Sequence, residues 1–429
     1  QIKHLFIQKA GGKFIDSPQA DFSLDQTTEN TDAIFFDADK DGDLDLFVVT
    51  GSNEFVENAP ELHDLLYLND GKGNLKRDAR FPMIYENGSS VSAADYDKDG
   101  DIDLFVGTRM VNAKYGQSAQ SNLFINDGTG GFKNQSKRYM PQVTDLGMVT
   151  DSEWSDVNGD GYQDLVVTQD WGPVVVFKNE RGRKLSKQEP VAGSEGLWST
   201  LKSIDMDGDG DMDFVLGNFG LNSKIKASAE TPAYLHVGDF DKNGSVEQLI
   251  SCVTEDGNTY PMVLKGEMQR ALPMIKKKFI KYKDYANKTV DELFTEEQRA
   301  GATIRQITTT QSSFMINDGK GNFSLQALPY QAQFSPIKAI ETGDFNKDGK
   351  LDILLAGNFF DSLPEWGRFD ANYGLLLEGQ GKGKFAVKLS KQTGFRTIGQ
   401  VRNMALVKGG KSTYVVLAKN DDKAQVFKF

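Results

Sequence analysis

Six short stretches place side-chain oxygens at the same intervals. The first is Asp37-Ala-Asp39-Lys-Asp41-Gly-Asp43-Leu-Asp45 and the second Asp95-Tyr-Asp97-Lys-Asp99-Gly-Asp101-Ile-Asp103. The third is Asp156-Val-Asn158-Gly-Asp160-Gly-Tyr162-Gln-Asp164 and the fourth Asp205-Met-Asp207-Gly-Asp209-Gly-Asp211-Met-Asp213. The fifth is Asp239-Phe-Asp241-Lys-Asn243-Gly-Ser245-Val-Glu247 and the sixth Asp344-Phe-Asn346-Lys-Asp348-Gly-Lys350-Leu-Asp352. Oxygens at positions 1, 3 and 5 converge on one cation when the chain curls tightly, and glycine at position 6 takes the conformation that the reversal needs. Position 7 can add its backbone carbonyl, so its side chain is free to vary: Asp43, Asp101, Tyr162, Asp211, Ser245 and Lys350. The carboxylate at position 9 closes the site. Hard oxygens in this number suit Ca²⁺ better than zinc or copper.

Five or six calcium sites are expected. Loops one, two and four have carboxylates at all four side-chain positions, whereas loops three and six each use one Asn. Loop five, with Asn243 and the longer Glu247, is expected to be the weakest or empty. An EF-hand would need a bidentate Glu at position 12 and flanking helices. Position 12 is instead Val48, Val106, Val167, Leu216, Ile250 and Leu355, each in a short apolar run of β type. The loops therefore link two strands.

A second signature follows most loops: Leu66-Tyr-Leu-Asn-Asp-Gly-Lys-Gly-Asn-Leu75, Leu123-Phe-Ile-Asn-Asp-Gly-Thr-Gly-Gly-Phe132 and Phe314-Met-Ile-Asn-Asp-Gly-Lys-Gly-Asn-Phe323. Looser copies start at Val175 and Leu375. Asn-Asp-Gly between apolar alternations signals a hairpin. Each repeat thus reads as strand, Asp loop, strand, variable loop, strand, tight hairpin, strand. A four-stranded unit of about 40–60 residues is a propeller blade.

These loops and hairpins resemble the FG-GAP/VCBS repeats of integrin α-subunit propellers. Three further segments, Gly217-Asn-Phe-Gly-Leu-Asn-Ser-Lys-Ile-Lys226, Phe279-Ile-Lys-Tyr-Lys-Asp-Tyr-Ala286 and Gly367-Arg-Phe-Asp-Ala-Asn-Tyr-Gly-Leu-Leu-Leu377, resemble the ASPIC/UnbV-associated VCBS-repeat proteins of Bacteroidota, relatives of cartilage acidic protein. The resemblance spans essentially the whole chain. It implies an all-β fold, a seven-bladed β-propeller, on exported and often outer-membrane-associated proteins. Strand counting alone leaves seven or eight units. The chain opens in His4 to Phe14, which reads as the outer hairpin of a blade without its inner strands. It ends in Asn403–Val407, Tyr414–Ala418 and Ala424–Phe429, the first strands of a blade without its last. Either the two halves join to close one ring over residues 1–429, or the chain is a piece of a longer one.

Composition agrees with a metal role. The chain of 429 residues has a net charge of −12, much of it in the six clusters, and clustered carboxylates repel each other without a cation. Six divalent ions would about cancel it. An acidic chain with no basic stripe argues against nucleic acid. No apolar run approaches the roughly 18 residues that span a membrane. Gln1 to Ala10 do not read as a signal peptide. The single Cys252 allows no internal disulfide, which calcium staples make unnecessary.

Residues 265–301 interrupt the repeat. Met268, Leu272, Ile275 and Phe279 follow helical spacing, Thr289 with Glu292 reads as a capping box, and Gly301 as a stop. This small helical insertion carries Lys276-Lys-Lys278, Lys281 and Lys283, read as a solvated face in preference to a docking patch.

In a propeller the loops joining second and third strands lie opposite the Asp loops. Here they are long, at 51–62, 107–121, 217–232 and 357–373, and long loops on a rigid scaffold usually carry recognition. Candidate partner-binding residues are Arg109, Tyr115, Trp171, Asn222, Trp366, Arg368 and Asp370. Asn53, Glu54, Asn218 and Lys224 lie on the same loops, and Trp198 reads as core. The partner expected is a protein or glycan, in a cell-envelope or outer-membrane assembly or in a secreted setting. His4, His63 and His236 fall in unrelated repeats, and no nucleophile elbow, HExxH or P-loop occurs. No enzyme is expected. A propeller hydrolase or lyase acting on glycans, using a pair such as Glu365 and Asp370, is one alternative. A purely structural bridging subunit is the other.

Overall fold

Runs such as Leu46–Val49, apolar at consecutive positions, require a strand covered on both faces. The computed structural model describes residues 3–9, 12–409 and 412–429 and shows how that cover arises. The protein is all-β, made of many small antiparallel sheets. The first sheet has strands Asn30–Phe36, Asp45–Thr50, Leu65–Asn69 and Leu75–Arg77, in chain order. The second holds Gly88–Ala94, Asp103–Thr108, Asn122–Ile125 and Lys133–Asn134, and the third Met148–Ser155, Asp164–Gly172, Val175–Asn179 and Leu185–Lys187. The fourth pairs Thr200–Ile204 and Asp213–Gly217 with Ser313–Asn317 and Phe323–Ala327. The fifth has Ile337–Gly343, Asp352–Gly357, Leu375–Gly381 and Lys384–Leu389, and the sixth Val401–Gly409, Ser412–Lys419 and Gln425–Lys428. The hairpin expected near the N-terminus pairs Phe6–Lys9 with Lys13–Asp16; Gln1, Ile2, Ala10 and Gly11 lie outside the described residues.

The first strands of the six sheets stand side by side in sequence order. The second strands are buried along their whole length in the first five sheets. Five of the hydrophobic cores are each shared by two neighbouring sheets. Phe47 and Val49 meet Val91, Val106 and Phe124. Phe105 and Leu123 meet Val149, Val167 and Phe177. The series continues through Trp198 with Phe214, Val215 with Ile353 and Leu377, and Leu354 with Val415 and Leu417. Burying one such side chain contributes about 1.5–3 kcal/mol. Stability therefore resides between sheets as much as within them, so the array folds as a connected row. The row curves. Arg109 of the second sheet lies within electrostatic reach of Lys338 and Arg402 of the fifth and sixth.

The fourth sheet corrects the sequence reading. Its second strand pairs with a strand almost a hundred residues later, Leu216 facing Ser313. Residues 218–312 are an insertion, wider than the expected 265–301. They hold a separate sheet ordered Thr259–Pro261, Glu247–Val253, Ala233–Gly238, Thr303–Ile307. The fifth Asp loop belongs to this inserted sheet and is not the next member of the row. Stretch 217–232 accordingly leads into the insertion instead of to a third strand.

The helical part of the insertion consists of Lys265–Ala271, Met274–Lys278, Tyr282–Tyr285, Val290–Leu293 and Glu296–Arg299. Pro273 divides the first two. Met268, Leu272, Ile275 and Phe279 are buried with Phe240 and Phe294. Thr289 and Glu292 form the expected capping box, and Thr295 with Gln298 forms a second. Lys278 caps the carbonyls of Glu292 and Leu293, both at 2.9 Å.

Candidate metal loops and recognition loops

Position 6 glycine has φ between 85° and 96° in all six loops, the left-handed turn that the sequence implied. Position 4 is left-handed as well, which the sequence reading missed. Gly159 and Gly208 adopt it freely, while Lys40, Lys98, Lys242 and Lys347 hold φ of 57–64°. In an L-residue this conformation costs about 1–2 kcal/mol, so the loop geometry is imposed by its surroundings. The first carboxylate accepts the position 6 N–H in five loops, as in Asp37 from Gly42 (3.2 Å) and Asp156 from Gly161 (2.7 Å). The fifth side chain accepts the position 7 N–H, as in Asp99 from Asp101 (2.9 Å). In loops one and two the first carboxylate accepts this bond on Oδ2, which leaves its Oδ1 without a donor.

Asp37, Asp39 and Asp41 gather their oxygens within 4.8 Å of one another, as do Asp95, Asp97 and Asp99, and Asp205, Asp207 and Asp209. Asp239, Asp241 and Glu247 do the same, so Glu247 reaches the cluster despite its longer side chain. Several loop oxygens are buried without a hydrogen-bond partner: Oδ1 of Asp37, Asp39, Asp43, Asp95, Asp97, Asp211 and Asp241. A buried carboxylate oxygen with no donor is costly, and a cation in each cluster would satisfy it. Loops three and six differ. There the position 5 N–H binds the first and third side chains internally, Asp160 to Asp156 and Asn158 at 3.1 and 3.0 Å, and Asp348 to Asp344 and Asn346 at 3.0 and 2.9 Å. Burial pushes Asp211 up to about 6, with Asp209 and Asp213 adding repulsion. A bound cation would reverse both effects.

The position 9 carboxylate, expected to close the site, is not among the gathered oxygens of loops one, two and four and is instead held by backbone N–H groups. Asp45 accepts the N–H of Ala38 on one oxygen and of Asn69 on the other, both at 2.7 Å. Asp103, Asp164, Asp213 and Asp352 repeat this, joining position 2 of the loop to the hairpin after the third strand. These aspartates are essentially inaccessible to solvent. Burial raises Asp103 to about 7 and Asp45 to about 6.

The hairpin asparagine extends the link to the preceding sheet. Asn126 donates to Ala38 O (2.8 Å) and Ile102 O (3.2 Å), Asn179 to Tyr96 O (2.9 Å) and Gln163 O (3.0 Å), and Asn317 to Val157 O (2.8 Å) and Met212 O (3.2 Å). Each hairpin therefore lies over the Asp loop before it. A Cβ on Gly182 would sit 2.7 Å from the Asp97 Cα, which shows how closely the backbones meet. Position 4 lysines add to this. Lys40 pairs with Asp101 of the next loop, and Lys98 lies 4.2 Å over the Tyr162 ring. Position 7 is thus less free than the sequence suggested. In the inserted sheet the helices replace the hairpin: Gln298 donates to Phe240 O (3.2 Å), and Lys242 pairs with Glu297 (2.6 Å).

At the other end of the sheets the candidate partner residues divide. Trp171 is buried, at 3% exposure, and Tyr115 is half-buried beside it. Both pack with Met110, Met148 and Leu197 against Ile225, Leu235 and Ile307 of the insertion. The insertion thus covers them, which removes Trp171 as a free contact. Tyr115 and Arg109 both donate to one oxygen of Asp170, at 2.7 and 2.6 Å. Arg305 of the insertion donates to Gly116 O (2.7 Å). Asn222 is exposed and donates to Phe334 O (3.2 Å). Trp366 is half-buried at the rim of the same cluster. Arg368 stacks 3.7 Å over the Phe360 ring, with Asp370 3.7 Å away, and both charges stay exposed. His236 bonds Ser251 Oγ (2.8 Å), and burial lowers its pKa.

Residues 156–216 match the FG-GAP-like repeat. The match runs from the first Asp of loop three to Leu216, so it spans the second to fourth strands of the third sheet and the first two strands of the fourth. No curated protein matches the chain. Among solved structures, the chain is similar to the V. cholerae biofilm matrix protein Bap1, with 11% identity over 92% of this chain and 76% of that one, at a TM-score of 0.36. It is also similar to BBS1N in complex with ARL6DN, with 10% identity over 93% and 91% of the two chains, at a TM-score of 0.35.

Proposed function

We propose that the protein is a calcium-stabilised β-propeller that binds a protein or glycan outside the cytoplasm, in a cell-envelope assembly. FG-GAP-like repeats favour a propeller-like interaction module. The curved row of side-by-side first strands, with cores shared between sheets, fits blades around an axis. Seven blades is the count we propose. Six sheets form the row, and the hairpin Phe6–Lys9/Lys13–Asp16 contributes to a further blade, its Phe14 ring touching Tyr414 of the sixth.

Calcium is the ion that the donor set favours: all-oxygen, largely carboxylate and gathered by tight loops. Extracellular calcium modules work at about 10⁻⁴–10⁻³ M, which suits solvent-open loops and an exported setting. No helix among the described residues is long and apolar enough to cross a membrane.

One observation carries the binding role. The Asp-loop end repeats nearly the same structure from sheet to sheet, whereas the loops at the opposite end differ in length and sequence and include the insertion. Variation on a shared frame is what selective recognition uses. The surface left open there centres on Arg368, Asp370, Asn222 and the edge of Trp366. Replacing Trp366 and Arg368 with alanine should abolish partner retention in a pull-down from the native envelope, with the protein still folded. Full retention by the double variant, together with loss on changing exposed residues at the Asp-loop end, would place the interface at the wrong end.

A further inference from the structure

One residue in most first strands bulges out of its ladder at the end far from the Asp loops. These are Thr31, Ser89, Thr150, Lys338 and Arg402. In the fourth sheet Ser199 holds the equivalent place, its N–H bonding Gly217 O (2.9 Å). The small hydroxyls have a visible task. Thr31 donates to Gly88 O (3.1 Å), Ser89 to Val149 O (2.8 Å) and Ser199 to Ile337 O (2.6 Å). Each acceptor immediately precedes the bulge residue of the next sheet, so the hydroxyls stitch neighbouring first strands together. Thr150 turns to Thr168 instead (3.1 Å).

The fifth and sixth sheets abandon this stitch for long cations. Lys338 has no hydrogen bond or ion pair among the described residues. Burial lowers its pKa to about 8, and Arg109 and Arg402 push the same way. Arg402 reaches only Asp361, at 3.8 Å. Arg109 is already engaged by Asp170. Arg109 and Arg402 thus have Asp170 and Asp361 as direct partners, with Asp421 at longer electrostatic range of Arg402, and Lys338 has none, in a chain whose net charge is −12. The Arg109 and Arg402 side chains are 44% and 41% exposed, so an anion can reach them from solvent, and neighbouring like charges favour one that does. The repeat also shows that serine or threonine would serve the fold here.

We infer that Lys338, Arg402 and Arg109 form an oxyanion site at the end of the first strands, taking a carboxylate or sulfate group of a small acidic ligand such as a charged sugar. A guanidinium offers a planar fork and an ammonium a point charge, a combination that fits an oxyanion from two sides. The inference goes beyond the proposed function and needs no macromolecular partner.

The test uses the calcium-loaded protein with sulfate, glucuronate and glucose 6-sulfate as probes, each titrated by calorimetry at constant ionic strength. Wild type should bind at least one probe at millimolar concentration or better. The variant K338S/R402T restores the residue types of the other sheets, so it should fold. The hydroxyl that K338S introduces would be placed to donate to the carbonyl of Val401. The affinity of the double variant should fall roughly thirtyfold or more, in line with loss of partly buried charge contacts, while its melting temperature without anion holds or rises. R402K, which keeps the charge, should retain binding within a few-fold. No binding of any probe to wild type, or wild-type affinity in K338S/R402T, would overturn the inference. Sulfate against glucuronate decides which oxyanion the site prefers.

Discussion

Replacing Asn179 with alanine should disturb a site that lies in another sheet. Asn179 is fully buried at the third-sheet hairpin. Its amide donates to Tyr96 O in loop two and to Gln163 O in loop three, and its oxygen accepts the Gly182 N–H at 2.7 Å. Alanine leaves three backbone groups without that partner. At about 1 kcal/mol each, the loss is about 3 kcal/mol. Unfolding entropy near 2.1 cal/mol/K per residue makes this a fall of about 3–4 °C in Tm for a cooperative chain of this size. A double-mutant cycle with D97N tests the link itself, because Asp97 is a candidate ligand of loop two and lies against Gly182. If loop two holds the proposed calcium, D97N already removes one of its contacts, so N179A has less left to disrupt. Measured by denaturant unfolding in calcium, the coupling should be about 1 kcal/mol. Effects that add within about 0.5 kcal/mol would show the loop and hairpin to be independent and refute the argument.

Chelation should lower Tm markedly, because an ion bound only to the folded state stabilises by mass action; an unchanged thermal transition after confirmed metal removal would exclude structural calcium. Burial raises Asp64 to about 7 although it accepts the Thr50 N–H at 2.8 Å. A carboxylate whose folded pKa lies above its unfolded value destabilises the fold as pH rises from about 4 to about 7, by up to about 4 kcal/mol. D64N should therefore raise Tm near pH 8 and flatten the pH profile, which thermal melts across pH will read; an identical slope would count against it. Replacing Lys98 by glycine should change stability by no more than about 1 kcal/mol, since relief of the left-handed lysine offsets loss of the Tyr162 contact, and loops three and four already carry glycine there.

The sequence made the Asp loops, the strands on either side and the hairpins legible because each is written in local chemistry: turn residues, alternation and repeated spacing. The contacts between repeats were not legible. Nothing local in Asn179 or Lys98 shows that their partners lie about 80 and 60 residues away. The fifth loop misled for the same reason, because its motif keeps the common spacing while its sheet is inserted. A signal was present: after the fourth loop the hairpin signature does not recur until Asn317, with the fifth loop lying in between. Tyr115 and Trp171 were placed on the correct end of the sheets, but their burial depends on a fold insertion that composition cannot position.

The way the insertion is attached has its own consequence. Leu216 and Ser313 face each other in adjacent strands, so the chain leaves and re-enters the fourth sheet about 5 Å apart. An ordinary short turn could bridge that gap. The attachment is therefore a graft point, where a whole cassette can be exchanged or excised while the host ladder keeps every rung. Exchanging that single block would change what covers one end of the scaffold and take the fifth Asp loop with it, leaving the other five Asp loops and the hairpins of the row untouched.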